Sequence, residues 1–221
     1  MELKEIKGKI PSEISEVFAK EGITELRPSQ TKAVKKGLLD RKNLLVCTPT
    51  ASGKTMIAEM AFANTIMKHG MKAIYIVPLK ALATEKHKEF TEKYGKLFRI
   101  ALSIGDLDSS DPYLAEQDLI ISTSEKMDSL LRHHSPWIRQ IGCMVVDEIH
   151  LLTDPGRGPT LEVLITILRD ILEDVQVIGL SATIGNPKDM AKWLEAELVE
   201  DDWRPVTLHK GVYLNGEVEF E

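Results

Sequence analysis

Strand-length apolar runs alternating with helix-length segments predict an α/β fold, a mostly parallel sheet with helices on both faces. Three observations carry that expectation. Runs such as Cys143–Val146 are continuously apolar rather than alternating, the pattern of strands buried on both faces. The segments between them are long enough for helical crossovers, which are right-handed in parallel sheets. The 221 residues suffice for one large domain with a substantial core.

Taken in order, Pro11-Ser12 opens a short amphipathic helix carrying Ile14, Val17, Phe18 and Ile23, and Ser29–Leu39 reads as a second helix. Strands are expected at Leu44–Cys47, Ala73–Val77, Ile100–Ile104, Leu119–Ser122, Cys143–Val146 and Val177–Leu180. Helices are expected at Thr55–Lys68, Ala81–Tyr94, Ser124–His133, Thr160–Leu172 and Pro187–Leu194. After Glu195 the pattern changes to short strands, Val206–Leu208, Val212–Leu214 and Val218–Phe220, with Asn215-Gly216 as a hairpin turn. This suggests a division into residues 1–200, the main domain, and 201–221, a C-terminal β extension.

Composition is ordinary for a globular chain, with 43% hydrophobic and 28% charged residues. The net charge of -6 argues against a broadly basic nucleic-acid clamp, so any such binding needs a local path of Lys, Arg and backbone donors. No apolar stretch approaches the roughly 20 residues that span a membrane, and the N-terminus lacks a signal core. Cys47 and Cys143 fall in expected strands and read as packing residues, consistent with reducing cytoplasm.

The chemistry is concentrated in three segments. Thr48–Thr55, TPTASGKT, lies between a strand and a helix. Backbone N–H groups at such a helix start favour phosphate, presented here by Thr50, Ala51, Ser52 and Gly53. Lys54 can place its ammonium on the β/γ-phosphates of ATP, the Thr55 hydroxyl can hold Mg²⁺, and Gly53 permits close backbone approach. Thr48 stands where the usual pattern has its first Gly. The second segment, DEIH, places Asp147 and Glu148 at the carboxyl end of a buried strand. Asp147 can hold Mg²⁺ through water and Glu148 can orient or deprotonate an attacking water. The third is SAT, Ser181–Thr183. Ligands of open parallel sheets bind at the carboxyl ends of strands, so the loops are expected to meet there.

With LRPSQTKAV (26–34), VPLKALATEK (77–86), STSEKMDSLLR (122–132), DEIHLLTDPGRGPTLE (147–162), GLSATIGNP (179–187) and WRPVTLHKGV (203–212), the chain resembles the first motor lobe of a superfamily 2 helicase. Within that group it is similar to archaeal Holliday-junction-migration repair helicases, kin of the HELQ and polymerase-theta helicase domains. The resemblance implies a RecA-like P-loop NTPase domain of an ATP-dependent DNA helicase acting on single-stranded or forked DNA. It implies that Gln30 reads the adenine edge, with Arg27 beside the base. Pro78, Leu79 and Lys80 match one DNA-contacting loop, and Thr123, Ser124 and Lys126 a second. These contacts go to phosphate and sugar and are largely independent of sequence. Ser122–Ser124 also reads as a helix cap, and Arg157 either lines the DNA path or pairs with Asp154. His150, Ser181, Ala182 and Thr183 match elements coupling nucleotide state to strand separation, with the Ser181 and Thr183 hydroxyls able to bond the DEIH loop. The second lobe and downstream domains expected in the family are absent from these residues. An RNA-acting relative and an ATP-switched binding module without turnover stand as alternatives.

Overall fold

The computed structural model describes residues 1–105, 111–207, 211–214 and 216–220. Seven strands form one parallel sheet: β1 (Leu44–Cys47), β2 (Lys72–Val77), β3 (Ile100–Ser103), β4 (Leu119–Thr123), β5 (Ile141–Val146), β6 (Gln176–Ser181) and β7 (Glu197–Glu200), in spatial order β3-β4-β2-β5-β6-β1-β7. Seven helices connect or flank them: α1 (Ser12–Lys20), α2 (Pro28–Lys35), α3 (Lys54–His69), α4 (Lys80–Tyr94), α5 (Ser124–Arg132), α6 (Gly158–Ile171) and α7 (Pro187–Leu194). A separate antiparallel pair follows, β8 (Gly211–Leu214) with β9 (Glu217–Phe220).

Successive strand residues point to opposite faces, and β1 shows the consequence. Leu44 and Val46 join the core under α1–α4, whereas Leu45 and Cys47 join the core under α5–α7. Both faces are therefore apolar, which is why the strands read as continuous runs. The side chains of α3 from Met56 to Ile66 are buried without interruption. On its outer side Phe62, Phe90, Tyr94 and Phe98 make edge-to-face and stacked contacts, with Tyr75 of β2 set edge-on to Phe90 at 5.3 Å between centroids.

The helices and sheet strands read from the sequence are present, with differences at the second helix and after Glu195. The second helix ends at Lys35 rather than Leu39, because Gly37 turns left-handed at φ 97° and Leu38–Asp40 forms a 3-10 turn. An edge strand, β7, pairs parallel with β1 where no strand was expected. Its sequence, Glu-Leu-Val-Glu, buries Val199 and leaves both glutamates exposed, so it lacks the continuous apolar signature. Val206 and Thr207 lie outside any strand, while Leu208 and Asn215 of the expected extension fall outside the described residues. Beyond β7, Asp201 pairs with Lys32 of α2 at 2.9 Å, and the Arg27 guanidinium lies 5.4 Å from the centroid of Trp203, tying this segment to the start of α2.

Candidate nucleotide site and nucleic-acid cleft

Because β1, β5 and β6 are neighbours and parallel, their carboxyl ends bring residues 48–55, 147–150 and 181–183 to one edge. The turn after β1 is shaped by two left-handed residues, Ala51 at φ 64° and Gly53 at φ 93°. A Cβ on Gly53 would sit 2.6 Å from Gln30 Nε2. Gln30 is buried; its Nε2 donates to Gly53 O at 3.1 Å and its Oε1 accepts from Arg27 N at 2.8 Å. Arg27 Nη1 donates to Ala51 O at 2.7 Å. Both residues assigned to the base thus also brace the phosphate loop. A cavity of about 350 Å³ opens beside them, lined by Ile23, Arg27, Gln30, Gly53 and Thr55 among others.

Lys54 Nζ donates to Thr48 O at 2.8 Å and Pro49 O at 3.3 Å, so the ammonium sits inside the loop. Burial lowers its pKa, and the nearby charges of Glu148 and Asp147 oppose that shift. Lys54 and both carboxylates therefore lie within electrostatic reach of one another. Glu148 occupies the left-handed region at φ 52°, a conformation uncommon for residues other than Gly, Asn and Asp; it turns the chain sharply out of β5. Asp147 Oδ1 accepts from Glu148 N at 3.0 Å, and Oδ2 accepts from Tyr75 Oη at 2.8 Å. His150 Nδ1 lies 3.3 Å from Glu148 Oε2. Ser181 Oγ is buried without a hydrogen-bond partner among the described residues, so it does not bond the DEIH loop in this state. Ala182 is partly buried and Thr183 is exposed. Burial pushes the thiol pKa of Cys47 up to about 11 and that of Cys143 up to about 12, which leaves both as packing thiols.

The second set of residues converges in a cleft of about 330 Å³ lined by Pro78, Leu79, Lys80, Gly105, Thr123, Glu125 and Arg157. A smaller cleft, lined by Pro78, Ser124, Asp147, Glu148 and Arg157, joins it to the DEIH turn. Asp154 Oδ1 accepts from the backbone N–H groups of Gly156 and Arg157, each at 2.9 Å, and the exposed Arg157 side chain lines both clefts. Gly158 is required there, since a Cβ would collide with the Leu152 carbonyl. One member is placed differently from expectation. Lys126 is 1% exposed and pairs with Asp111 at 3.0 Å, so its charge is spent inside the fold rather than offered to a backbone phosphate. Thr123 Oγ1 accepts from Lys126 N at 3.4 Å and caps α5.

Two further residues touch the site. Lys86, inside the quoted segment 77–86, donates from Nζ to Thr55 Oγ1 at 3.4 Å and to Glu89 at 2.8 Å. Tyr75 is the phenol on Asp147. Its signal was weak, because a tyrosine within an apolar strand run reads as core.

A phosphate cradle facing a strand-end carboxylate pair defines the class, a P-loop nucleotide-binding domain of RecA-like α/β architecture. Residues 27–190 match the DEAD/DEAH box helicase family. The chain belongs to that family. It is 51% identical over 212 residues to the ATP-dependent DNA helicase Hel308 of Pyrococcus abyssi, covering 96% of this chain and 29% of the relative. To the Hel308 of Methanocaldococcus jannaschii it is 55% identical over 214 residues, covering 94% of this chain and 18% of the relative. The DUF1998 helicase MrfA, crystallised with DNA and AMPPNP, superposes with a TM-score of 0.76 at 26% identity, over 88% of this chain and 29% of that one. The chain thus spans under a third of the curated relatives described here. Among the described residues, no helix is long and apolar enough to cross a membrane.

Proposed function

We propose that this chain is the ATP-binding first lobe of an ATP-dependent DNA helicase that works at forked or branched DNA in repair and recombination. The observation that carries the reading is the convergence of Lys54, Asp147 and Glu148 at one sheet edge beside the cleft of Pro78, Lys80, Thr123 and Arg157. Residues 1–200 form the lobe and 201–221 lead toward a second lobe. The workplace is the cytoplasm.

Thr55 and Asp147 offer hydroxyl and carboxylate oxygens, a hard donor set that suits Mg²⁺ held jointly with substrate phosphates. That ion, when bound, neutralises charge on the β/γ-phosphates. The backbone N–H groups of residues 50–53 and the Lys54 ammonium bind the triphosphate, while Gln30 and Arg27 hold the base end. Glu148 takes the proton of the attacking water, and His150 links this turn to the Ser181–Thr183 loop. Lys80 and Arg157 bind the DNA backbone without reading sequence.

Separable loss of binding and turnover tests this. Lys54→Ala weakens nucleotide binding, because it removes the cation inside the loop. Glu148→Gln leaves binding nearly intact and lowers turnover of the longer protein on DNA, because the cradle survives while proton transfer fails. Equal loss of nucleotide affinity in both variants contradicts the division. Stimulation by RNA in place of DNA moves the substrate assignment.

A further inference from the structure

The phenol of Tyr75 is buried in β2 and donates to Asp147 Oδ2 at 2.8 Å. The two residues are 72 positions apart in sequence and lie on paired strands, β2 and β5. Asp147 Oδ1 is already engaged by Glu148 N at 3.0 Å, so both carboxylate oxygens carry one protein donor. A carboxylate has about four lone-pair sites, so each oxygen keeps one for a ligand. From the other side, the Tyr75 ring stands edge-on to Phe90 of α4, at 5.3 Å and 69°. Phe90 also lies 5.7 Å below the Lys86 ammonium, which touches Thr55. The ring is therefore held at both ends, by an aromatic wall and by its own hydrogen bond.

We propose that Tyr75 is a positioning residue that fixes the Asp147 carboxylate in the orientation needed to hold a nucleotide-bound divalent cation. This rests on the reading of Thr55 and Asp147 as the metal-holding pair. The phenol hydroxyl supplies one O–H donor, and Asp147 Oδ2 accepts it. A donor of this kind raises no charge at the site; it removes rotational freedom from a ligand. Loss of such a supporting hydrogen bond typically costs about 10- to 100-fold in metal affinity. The low end applies here, because Glu148 N still holds the other oxygen.

The test is binding of a fluorescently labelled ADP to this chain, titrated with Mg²⁺ and in excess EDTA. Tyr75→Phe keeps the ring and its packing on Phe90. It is expected to leave affinity in EDTA unchanged and to raise the Mg²⁺ concentration for half-maximal binding about tenfold. In an Asp147→Asn background the same substitution is expected to add little, because the coupled partner is gone. Equal weakening with and without Mg²⁺ would mean a structural role only and would overturn the proposal. An unchanged Mg²⁺ titration, or full additivity with Asp147→Asn, would overturn it as well. Failure of the unmodified chain to bind nucleotide more tightly with Mg²⁺ would instead overturn the assignment of the metal-holding pair, and the proposal with it.

Discussion

Two lysines of similar sequence appearance have opposite fates. Lys80 follows Pro-Leu at a strand end and is exposed at the start of α4; Lys126 follows Ser-Glu at the next such end and is buried against Asp111. Nothing within five residues of Lys126 announces that partner, so its burial was not legible, and the phenol of Tyr75 was hidden for the same reason. Asp147 and Glu148 were legible because they sit where an apolar run stops, Lys54 because it closes a Gly-Lys-Thr turn between a strand and a helix, and parallel strands send such positions to one edge. The contrast gives a prediction. In titrations of single-stranded DNA against this chain, Lys80→Ala and Arg157→Ala each weaken binding and reduce the salt slope by about one. Lys126→Met leaves the slope unchanged and instead costs about 1–3 kcal/mol of stability, since it removes the buried ion pair with Asp111. A reduced slope in the Lys126 variant, with stability intact, would return that residue to the nucleic-acid surface.

Elements were legible where a period or an uninterrupted apolar run marks them, which is why six of the sheet strands were expected close to their observed bounds while β7 was not. Its partner-facing residues are too few to show a pattern, and its pairing with β1 depends on distant chain. Tertiary charge pairing is likewise invisible locally. Glu59 of α3 is 2% exposed, and Lys93 of α4 reaches it at 3.0 Å while also meeting Glu21 at 3.1 Å and Glu89 at 3.5 Å. Burial raises the Glu59 pKa, and Lys93 opposes the shift; burial also works against the Lys93 charge, but its carboxylate neighbours prevail and raise its pKa. Lys93→Met leaves a buried carboxylate without its cation and is expected to cost about 3–5 kcal/mol in denaturant unfolding of this chain. Glu59→Gln costs less, since Lys93 keeps Glu21 and Glu89. The sign with pH follows from Glu59. With its folded pKa above the unfolded value, the folded state binds more protons in that window, so stability rises as pH falls through the folded pKa. The deficit of the Lys93 variant is thus largest near neutrality and shrinks on acidification. A pH-independent deficit would point to lost packing of the lysine stem instead.

At the scale of the molecule, a chain of net charge -6 presents its cations locally, at the clefts where Lys80 and Arg157 stand. If these clefts hold DNA as proposed, binding through so few phosphates is expected to be weak and salt-sensitive. The nucleotide edge is equally one-sided. The phosphate loop, the Thr55 and Asp147 oxygens proposed for the metal and the proposed base Glu148 all come from a single sheet. In related motors the charge developing on the γ-phosphate is met by arginines of a second lobe, and such an arginine is worth roughly 10³–10⁵ in rate in P-loop enzymes. Translocation also requires two lobes that close and open around ATP. On the proposed reading, the 221 residues are expected to bind Mg²⁺–nucleotide but to hydrolyse it very slowly, gain little from DNA and unwind nothing. Turnover measured with and without single-stranded DNA, beside a longer protein carrying both lobes, checks this. Comparable DNA-stimulated rates in the two would show that one lobe completes the site alone, and that the charge on the γ-phosphate is met by Lys54, Lys86 or Arg157 from within this chain.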